Sequence, residues 1–277
     1  MVLPTTVPGV TDRRAAELLQ PRWTRARRAL STALVACPWA IVASCVIAAV
    51  VAGATGGSAA WSGVAAVGAA VPAVVLSVGV RNLLFHPPRW VRSAVLGCGA
   101  QVLLGVLPAV GAAASAGGAG AAVATVILVL ALVAVVVAVS SASRAMRTLL
   151  TPVSWELGAT PFTVAVRARL HDPGMLTGSV SVGTRGVEWA ARRHRAVGHG
   201  GVPFDTIRDA RPTMLPDTAG PTPWLSLSDG STAYLTPGPA VLLDTGSGTV
   251  TLPVDDPQLF VALLHARVAA WRSGAVR

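Results

Sequence analysis

The densest group of ionisable side chains in this 277-residue sequence is Arg192-Arg193-His194-Arg195, with His199 five residues after His194. Two imidazoles could begin a metal site, but a third ligand is missing and the neighbouring arginines would repel a cation. Clustered arginines suit anionic groups, such as lipid headgroups, better. Glycines at 198, 200 and 201 indicate that His199 lies in a loop. Two interpretations stay open: a patch that contacts a membrane surface, or an ordinary solvated loop.

The carboxylates do not form a convincing catalytic pair. Asp255-Asp256 precedes Pro257, which is a favoured way to begin a helix, so helix capping explains this pair. Asp205 and Asp209 are explained by turn chemistry. No spacing of serine and histidine suggests a nucleophile with its base, and a chain without lysine cannot contain the phosphate-binding motif G-x-x-x-x-G-K-[ST]. We therefore predict no catalytic residues, no cofactor and no metal.

The three cysteines, Cys37, Cys45 and Cys98, lie in apolar surroundings. Cys37-Pro38 resembles the Cys-Pro pair of metal-pumping ATPases, but no phosphorylation or nucleotide-binding sequence accompanies it. Buried free cysteines commonly pack as small apolar side chains. We therefore expect packing residues here rather than ligands for a metal or haem.

Composition and charge spacing predict a helical membrane part. The chain is 53% hydrophobic and only 12% charged, with a mean hydropathy of +0.62, which argues against a single water-soluble globule and against disorder. Residues 29–80 and 93–143 contain no aspartate, glutamate, arginine or histidine. A spanning helix needs about 20 apolar residues, so each run holds two spans joined by a glycine-rich connection, at 53–60 and 111–120. The predicted transmembrane domain, residues 31–147, has four helices in two hairpins, at about 31–52, 61–80, 93–112 and 120–142.

The arginines predict how these helices are oriented. Eleven arginines flank the spans on the side of the two termini and the middle loop, and the glycine-rich connections carry none. Because basic residues stay on the cytoplasmic side, both termini are expected in the cytoplasm of a bacterial cell. Residues 148–277 contain 11 arginines and 10 acidic residues, so most of the net charge of +10 belongs to the membrane part. This distribution argues against nucleic acid as a partner.

Nine arginines are candidates for contact with the membrane surface. They are Arg13, Arg14, Arg22, Arg25, Arg89, Arg92, Arg192, Arg193 and Arg195. The first four belong to a basic N-terminal segment, residues 1–30. Within it, Thr11 to Gln20 has the spacing of a short amphipathic helix with Ala15, Leu18 and Leu19 on one side, and Pro21 is expected to end it.

The predicted spans contain few polar groups and one internal similarity. Gln101 is their single side-chain amide, and they lack the ionisable groups that a proton-coupled transporter uses. Pro21-Arg-Trp-Thr-Arg25 and Pro88-Arg-Trp-Val-Arg92 lie 67 residues apart, each before a span. The similarity indicates either a duplicated hairpin or convergence, since proline at a helix start and Arg/Trp at an interface are both favoured locally.

The remainder of the chain predicts a linker, residues 148–160, and a β-rich domain, residues 161–277. Phe162 to Leu170 alternates as a half-buried strand does, and Asp229-Gly230 is a strong hairpin signal. A terminal helix is expected from Asp256 and Pro257 to Ser273-Gly274. Its apolar stripe is Phe260, Leu264, Val268 and Trp271. Seven or eight antiparallel strands with this helix indicate a small barrel or orthogonal sandwich.

This domain resembles bacterial pleckstrin-homology-like (PH-like) domains that are attached to membrane helices. The resemblance covers roughly residues 160–270. It rests on short segments: Arg185-Gly186-Val187, Val202 to Ile207 with Ala210, Gly238-Pro-Ala240, Val254-Asp-Asp256 and Leu263-Leu264. It implies a split barrel with a C-terminal helix, used for binding and assembly without catalytic residues. The first inter-strand loop, His171 to Leu176, has no arginine, so phosphoinositide binding does not follow from the resemblance.

Together these features lead us to expect a non-enzymatic, multi-pass protein of the cytoplasmic membrane. Its cytoplasmic PH-like domain would bind or assemble partner proteins, or bind the membrane face. The expected partners are the lipid bilayer and a protein, and a homo-oligomer is compatible with the sequence. The alternative is a component of a channel or transporter, which proline-kinked spans and a duplicated hairpin would suit.

Overall fold

The computed structural model of the chain describes residues 3–10, 12–54, 59–115, 117–171, 176–217, 222–274 and 276. It divides into two compact units. The helical unit comprises Met1–Thr5 and Pro21–Leu149, and the β-rich unit comprises Thr6–Gln20 and Leu150–Arg277. The N-terminal segment is therefore shared between them.

Long apolar helices make up the helical unit. Their bounds are α1 (Arg13–Ser31), α2 (Cys37–Ala54), α3 (Ala59–Leu83), α4 (Pro87–Gln101), α5 (Leu107–Ala114) and α6 (Gly118–Leu150), with π-helical segments at Thr32–Ala36 and Val102–Val106. Among the described residues, four segments are long and apolar enough to cross a membrane: Arg13–Ala54, Gly63–Leu83, Pro87–Ala114 and Gly120–Leu150. They match the four predicted spans, except that the second begins at Gly63 and not at residue 61, and they are compatible with a multi-pass membrane protein. Residues 55–58 and 116, in the predicted connections, lie outside the described residues.

Pro21 does not end the N-terminal helix, so that prediction is wrong. α1 passes through Pro21 and leads into α2 by way of the first π-helical segment. A proline inside a helix costs about 3 kcal/mol, because it removes a backbone hydrogen bond and crowds the preceding turn. Packing offsets this cost, since one buried stripe continues across the proline. Its members are Ala15, Leu19, Trp23, Ala26 and Leu30.

Small residues bring the helices of the bundle into close contact. A Cβ atom on Gly68 would overlap the carbonyl oxygen of Leu104, and one on Gly105 would lie 2.6 Å from the Cβ of Ala69. The two glycines therefore let α3 pack directly against the backbone of the second π-helical segment, as small residues do in membrane bundles. Large apolar side chains such as Val67 and Val136 point outwards instead.

The two Pro-Arg-Trp segments share features that reach beyond their sequence. Trp23 and Trp90 are both fully buried, and each indole Nε1 donates to a carbonyl earlier in the chain, Pro4 at 3.1 Å and Leu83 at 2.8 Å. Each segment is followed by a π-helical segment, and Pro38 or Pro108 is the second residue after it. The similarity therefore continues into the apolar part of both spans.

Antiparallel strands form the β-rich unit. Among the described residues they are β1 (Val164–Ala168), β2 (Leu176–Val182), β3 (Gly186–Arg193), β4 (Ala196–Pro203), β5 (Ile207–Leu215), β6 (Thr222–Ser226), β7 (Thr232–Leu235), β8 (Gly238–Thr245) and β9 (Gly248–Leu252). β1 to β4 form a meander, β8 lies between β5 and β9, and β6 pairs with β7. The core includes Phe162, Val180, Val187 and Leu243.

The predicted split barrel is corrected in one respect: the sheets do not close. Beyond Ala168 the chain leaves regular strand geometry and reaches the other sheets only through isolated bridges, Ala168 with Val254 and Leu170 with Leu235. Few backbone hydrogen bonds support these contacts: Arg169 N donates to Pro253 O at 2.9 Å, His171 N donates to Tyr234 O at 2.9 Å, and Thr236 N donates to Arg169 O at 3.5 Å. A continuous ladder, which closure requires, is absent among the described residues.

The glycine-rich stretch around His199 is strand β4, not the predicted loop. β4 pairs with β3 along its length, with Gly200 opposite Trp189. A Cβ on Gly200 would overlap the Trp189 indole, and one on Gly198 would overlap the carbonyl oxygen of Ser226. Glycine is used here because a large ring and a neighbouring backbone approach the strand closely.

The terminal helix is confirmed as α7 (Pro257–Arg272). The Oδ1 atom of Asp256 accepts a hydrogen bond from Leu259 N at 3.0 Å, and this satisfies a backbone donor of the first turn. A short 3-10 helix at Trp155–Ala159, within the segment predicted as a linker, packs on α7. A Cβ on Gly158 would overlap the carbonyl oxygen of Leu263, so only glycine allows this approach.

Candidate functional site

The arginine-rich segment forms the turn between β3 and β4. His194 has a φ of +50°, and its carbonyl oxygen accepts a hydrogen bond from Arg192 Nε at 2.9 Å. The hairpin closes at the pair Arg193 and Ala196. Arg192, His194 and Arg195 are exposed and Arg193 is half-buried. The turn is thus ordered by its own backbone and leaves its cationic groups accessible.

A second turn, between β6 and β7, lies against it. Val197 N donates to Ser228 Oγ at 3.2 Å, and Ser228 N donates to Val197 O at 3.1 Å. Together the two turns surround an open depression of about 720 Å³. Its lining residues are Arg193, His194, Arg195, Ala196, Ser228 and Asp229. We call this surface the basic depression.

Among the described residues, Asp229 is the single acidic side chain that lines the basic depression. Ser231 donates to its Oδ1 through the hydroxyl at 2.6 Å and through the backbone N–H at 3.0 Å. These hydrogen bonds lower the pKa of Asp229, and the charge of Arg193 adds to the effect. Asp229 therefore stays ionised and shapes the turn.

His194 and His199, which the sequence does not predict to form a metal site, lie apart in the structure. His199 lies on β4 opposite Ala190, away from the turn that holds His194. Among the described residues, no group of three histidine, cysteine, aspartate or glutamate side chains could hold a metal ion. Asp205 and Asp209 are exposed on either side of the start of β5.

The other predicted arginines are distributed over both units. Arg13 and Arg14 belong to the β-rich unit, where Arg13 Nε pairs with Glu17 at 2.9 Å on the surface. Arg22, Arg25, Arg89 and Arg92 belong to the helical unit. Of these, Arg25, Arg89 and Arg92 are exposed and Arg22 is half-buried. Contact of these arginines with the membrane surface stays a prediction.

A second cavity was missed by sequence reasoning. It measures about 660 Å³ and is lined by Arg167, Ala168, Arg169, Leu170, His171, Leu176, Thr236 and Asp255. Arg169 Nη2 donates to Pro237 O at 3.0 Å, and its Nε lies 3.6 Å from Asp255 Oδ1. The cavity adjoins the first inter-strand loop, His171 to Leu176, of which residues 172–175 lie outside the described residues. The available signal was the two-residue spacing of Arg167 and Arg169, at the end of the predicted first strand and just before the loop.

Arg267 is the other residue that sequence reasoning missed. It is fully buried on α7 and donates to backbone carbonyl oxygens of Leu157, Gly158, Phe162, Val182 and Gly183. Burial lowers its pKa to about 9. Arg267 lies seven residues after Phe260 and three after Leu264, and therefore on the apolar stripe of the helix. An arginine on an apolar stripe was the sequence signal for its burial.

Comparison of the chain with protein-family models, curated proteins and solved structures finds no match.

Proposed function

We propose that this chain is a multi-pass protein of a bacterial cytoplasmic membrane whose β-rich unit is a non-enzymatic binding domain. The four apolar helices support the membrane assignment. The basic depression carries the binding proposal, because it gathers Arg193, His194 and Arg195 at two turns that hydrogen-bond to each other. Such a surface suits an anionic partner, either lipid headgroups of the membrane face or an acidic segment of a protein.

We also assign the β-rich unit to a PH-like architecture as part of this proposal. Its order of elements supports the assignment: a four-stranded meander, further antiparallel strands and a C-terminal helix that packs against β5 and β8. Two of the segments behind the resemblance lie at the start of a strand, Arg185-Gly186-Val187 at β3 and Gly238-Pro-Ala240 at β8. The likeness concerns this order and not a closed barrel.

Replacing Arg193 and Arg195 by glutamine tests the headgroup interaction. The full chain is placed either in nanodiscs of neutral lipid or in nanodiscs with about 30% phosphatidylglycerol, which gives an anionic surface. Backbone hydrogen exchange is then measured in the β3–β4 turn. We expect anionic lipid to slow exchange in the parent chain and to have no effect in the double variant, since each arginine near such a surface contributes about 1 kcal/mol.

The matched control removes the same charge elsewhere in the β-rich unit. Arg208→Gln with Arg211→Gln changes two exposed arginines of β5, and should keep the lipid effect at the turn. If both double variants lost the slowing of exchange by anionic lipid to the same extent, the effect would come from the net charge of the unit and not from this turn. A parent chain whose turn ignores lipid charge would exclude headgroups as the partner.

The orientation is a separate part of the proposal, with both termini in the cytoplasm. Reporter fusions at Gly117 and Arg277 are expected to give periplasmic and cytoplasmic signals respectively, because the flanking arginines stay on the cytoplasmic side. Activity of a periplasmic reporter at Arg277 would refute this orientation.

The two interrupted spans favour a second candidate function, as a component of a channel or transporter. Broken helices at corresponding positions of repeated segments are a feature of many transporters. Here a π-helical segment followed by a proline occurs in both Arg13–Ala54 and Pro87–Ala114. A specific ion or solute flux in liposomes that contain the purified chain would support this function over a binding role.

A further inference from the structure

Two cavities of the β-rich unit lie side by side and share part of their walls. The larger is the cavity of about 660 Å³ described above, and the smaller measures about 150 Å³. Arg167 and Asp255 line both of them. The smaller cavity is lined by Val153, Val166, Arg167, Val254, Asp255, Asp256, Leu259 and Phe260. Together the cavities have the size of a site for a small organic molecule.

The smaller cavity is mainly apolar. Five of its eight lining residues are valine, leucine or phenylalanine. Val254 and Phe260 are buried, so the core holds this part of the wall in place. The carboxylate of Asp256 is occupied by helix capping, because its Oδ1 accepts a hydrogen bond from Leu259 N at 3.0 Å. This cavity therefore suits a branched or aromatic hydrocarbon group.

The larger cavity is polar and contains an arginine that is held from several directions. Arg169 Nη2 donates to Pro237 O at 3.0 Å, and Arg169 N donates to Pro253 O at 2.9 Å. Gly238 has a φ of +123°, and a Cβ there would overlap the guanidinium of Arg169. The absence of a side chain at Gly238 thus leaves room for this guanidinium, which forms an ordered part of the cavity wall.

Two opposite charges face the shared space without pairing with each other. Arg167 is exposed and makes no hydrogen bond or ion pair with any described residue. The side chain of Asp255 is 74% exposed, and its one ion pair among the described residues is a loose contact of 3.6 Å with Arg169. Charged hydrogen bonds are strong, so a guanidinium and a carboxylate on one cavity suit a ligand that carries both charges.

We propose that the two cavities bind one free α-amino acid with an apolar side chain, of the leucine or phenylalanine class. Its carboxylate binds the planar guanidinium of Arg167, which matches a carboxylate in shape. Its ammonium group binds Asp255, and its side chain fills the smaller cavity.

Other classes of ligand fit these walls less well. A polyanion such as a nucleotide would meet the carboxylates of Asp255 and Asp256, which line the smaller cavity. An apolar amine would leave Arg167 without a partner, and an apolar acid would leave Asp255 without one. A molecule with one charge of each sign satisfies both walls, and a peptide does not carry both charges on one residue.

The test measures binding of L-leucine to the full chain in nanodiscs by isothermal titration calorimetry. Three further probes each lack one group: isocaproate lacks the ammonium, isopentylamine lacks the carboxylate, and glycine lacks the side chain. We expect one L-leucine per chain. Each truncated probe should bind at least about 10-fold more weakly, because each loses a charged hydrogen bond or the burial of an apolar group.

Substitutions at the two charges assign each contact. Arg167→Gln and Asp255→Asn should each weaken L-leucine binding at least about 10-fold. Arg167→Gln should not weaken isopentylamine, and Asp255→Asn should not weaken isocaproate, since those probes lack the group concerned. Both residues are exposed, and thermal unfolding checks that the variants keep the stability of the parent chain.

Matched controls change the same types of charge outside the cavities. Arg211→Gln on β5 and Asp244→Asn on β8 alter exposed residues that line neither cavity, so they should bind L-leucine as the parent chain does.

Four outcomes would overturn the proposal. The first is that the parent chain binds neither L-leucine nor L-phenylalanine at concentrations up to about 10 mM. The others are equal binding of L-leucine and a truncated probe, unchanged binding in the Arg167 and Asp255 variants, and an equal loss in the control variants. The proposal does not depend on the basic depression, so it can fail while the response of the β3–β4 turn to anionic lipid stands.

Discussion

Replacing Arg267 by methionine is expected to lower the free energy of unfolding of the β-rich unit by at least about 4 kcal/mol. Methionine keeps much of the apolar stem and helix propensity of arginine but donates no hydrogen bond. A buried charge does not always stabilise a protein, because its desolvation is costly, and replacing a buried ion pair by apolar residues can leave the stability unchanged. Arg267 differs because its partners are backbone carbonyls, which no substitution removes.

The geometry explains why this single side chain matters so much. Arg267 Nε donates to Gly158 O at 2.8 Å, and Nη2 donates to Leu157 O at 3.0 Å and Phe162 O at 2.7 Å. Nη1 donates to the carbonyls of Val182 and Gly183 at the end of β2. One guanidinium thus holds the 3-10 helix, the entry to β1 and the end of β2 against α7. Each carbonyl left buried without a donor costs about 1–3 kcal/mol.

Matched variants separate the charge from the hydrogen-bond pattern. Arg267→Lys keeps the charge but has three donors on one nitrogen, so it should fall between the parent and methionine variants. Arg272→Met alters an exposed arginine of the same helix and should change stability by less than about 0.5 kcal/mol. Hydrogen exchange of the full chain in detergent measures these differences. A loss below about 1 kcal/mol for Arg267→Met would contradict the assigned role.

Replacing Gly68 by valine is expected to destabilise the helical unit by about 3 kcal/mol or more. A side chain at this position would meet the backbone of Leu104, not the flexible end of another side chain. The helix must then shift, which would also separate Ala69 O from Gln101 Nε2. Unfolding in mixed micelles of mild detergent and sodium dodecyl sulfate measures the effect.

Gly63 provides the control on the same helix. Nothing lies within 4 Å of a Cβ built there, so Gly63→Val carries the same change in helix propensity without a clash. We expect its stability to stay within about 1 kcal/mol of the parent chain. If the two variants lost the same stability, the close contact between Gly68 and the backbone of Leu104 would not be the cause of the loss.

Several elements of this protein could be predicted because their signals are local. The absence of charge over residues 29–80 and 93–143 predicts the spans, since a bilayer-crossing helix must be apolar over about 20 residues. Asp256 and Pro257 mark the start of α7 for a similar reason, because a cap satisfies donors within a single turn. Asp229-Gly230 likewise marks the turn between β6 and β7.

Other features depended on neighbours distant in the chain. Gly198 to Gly201 has the composition of a loop, but Trp189 and Ser226 approach it and make it a strand. Pro21 has the chemistry of a helix end, but the buried stripe on both sides carries the helix through it. The cavity lined by Arg167 and Arg169 arises where β1 meets the chain before α7.

The sequence by itself determined the four apolar segments, the arginine asymmetry and, apart from β4, the succession of strands before a terminal helix, because each depends on residues adjacent along the chain. Only the tertiary structure decided which polar groups matter. Arg267 and Gln101 are single residues in apolar stretches, and their importance comes from carbonyls up to 110 and 63 residues away. A buried donor is defined by the acceptors that folding brings to it, and no local pattern encodes those acceptors.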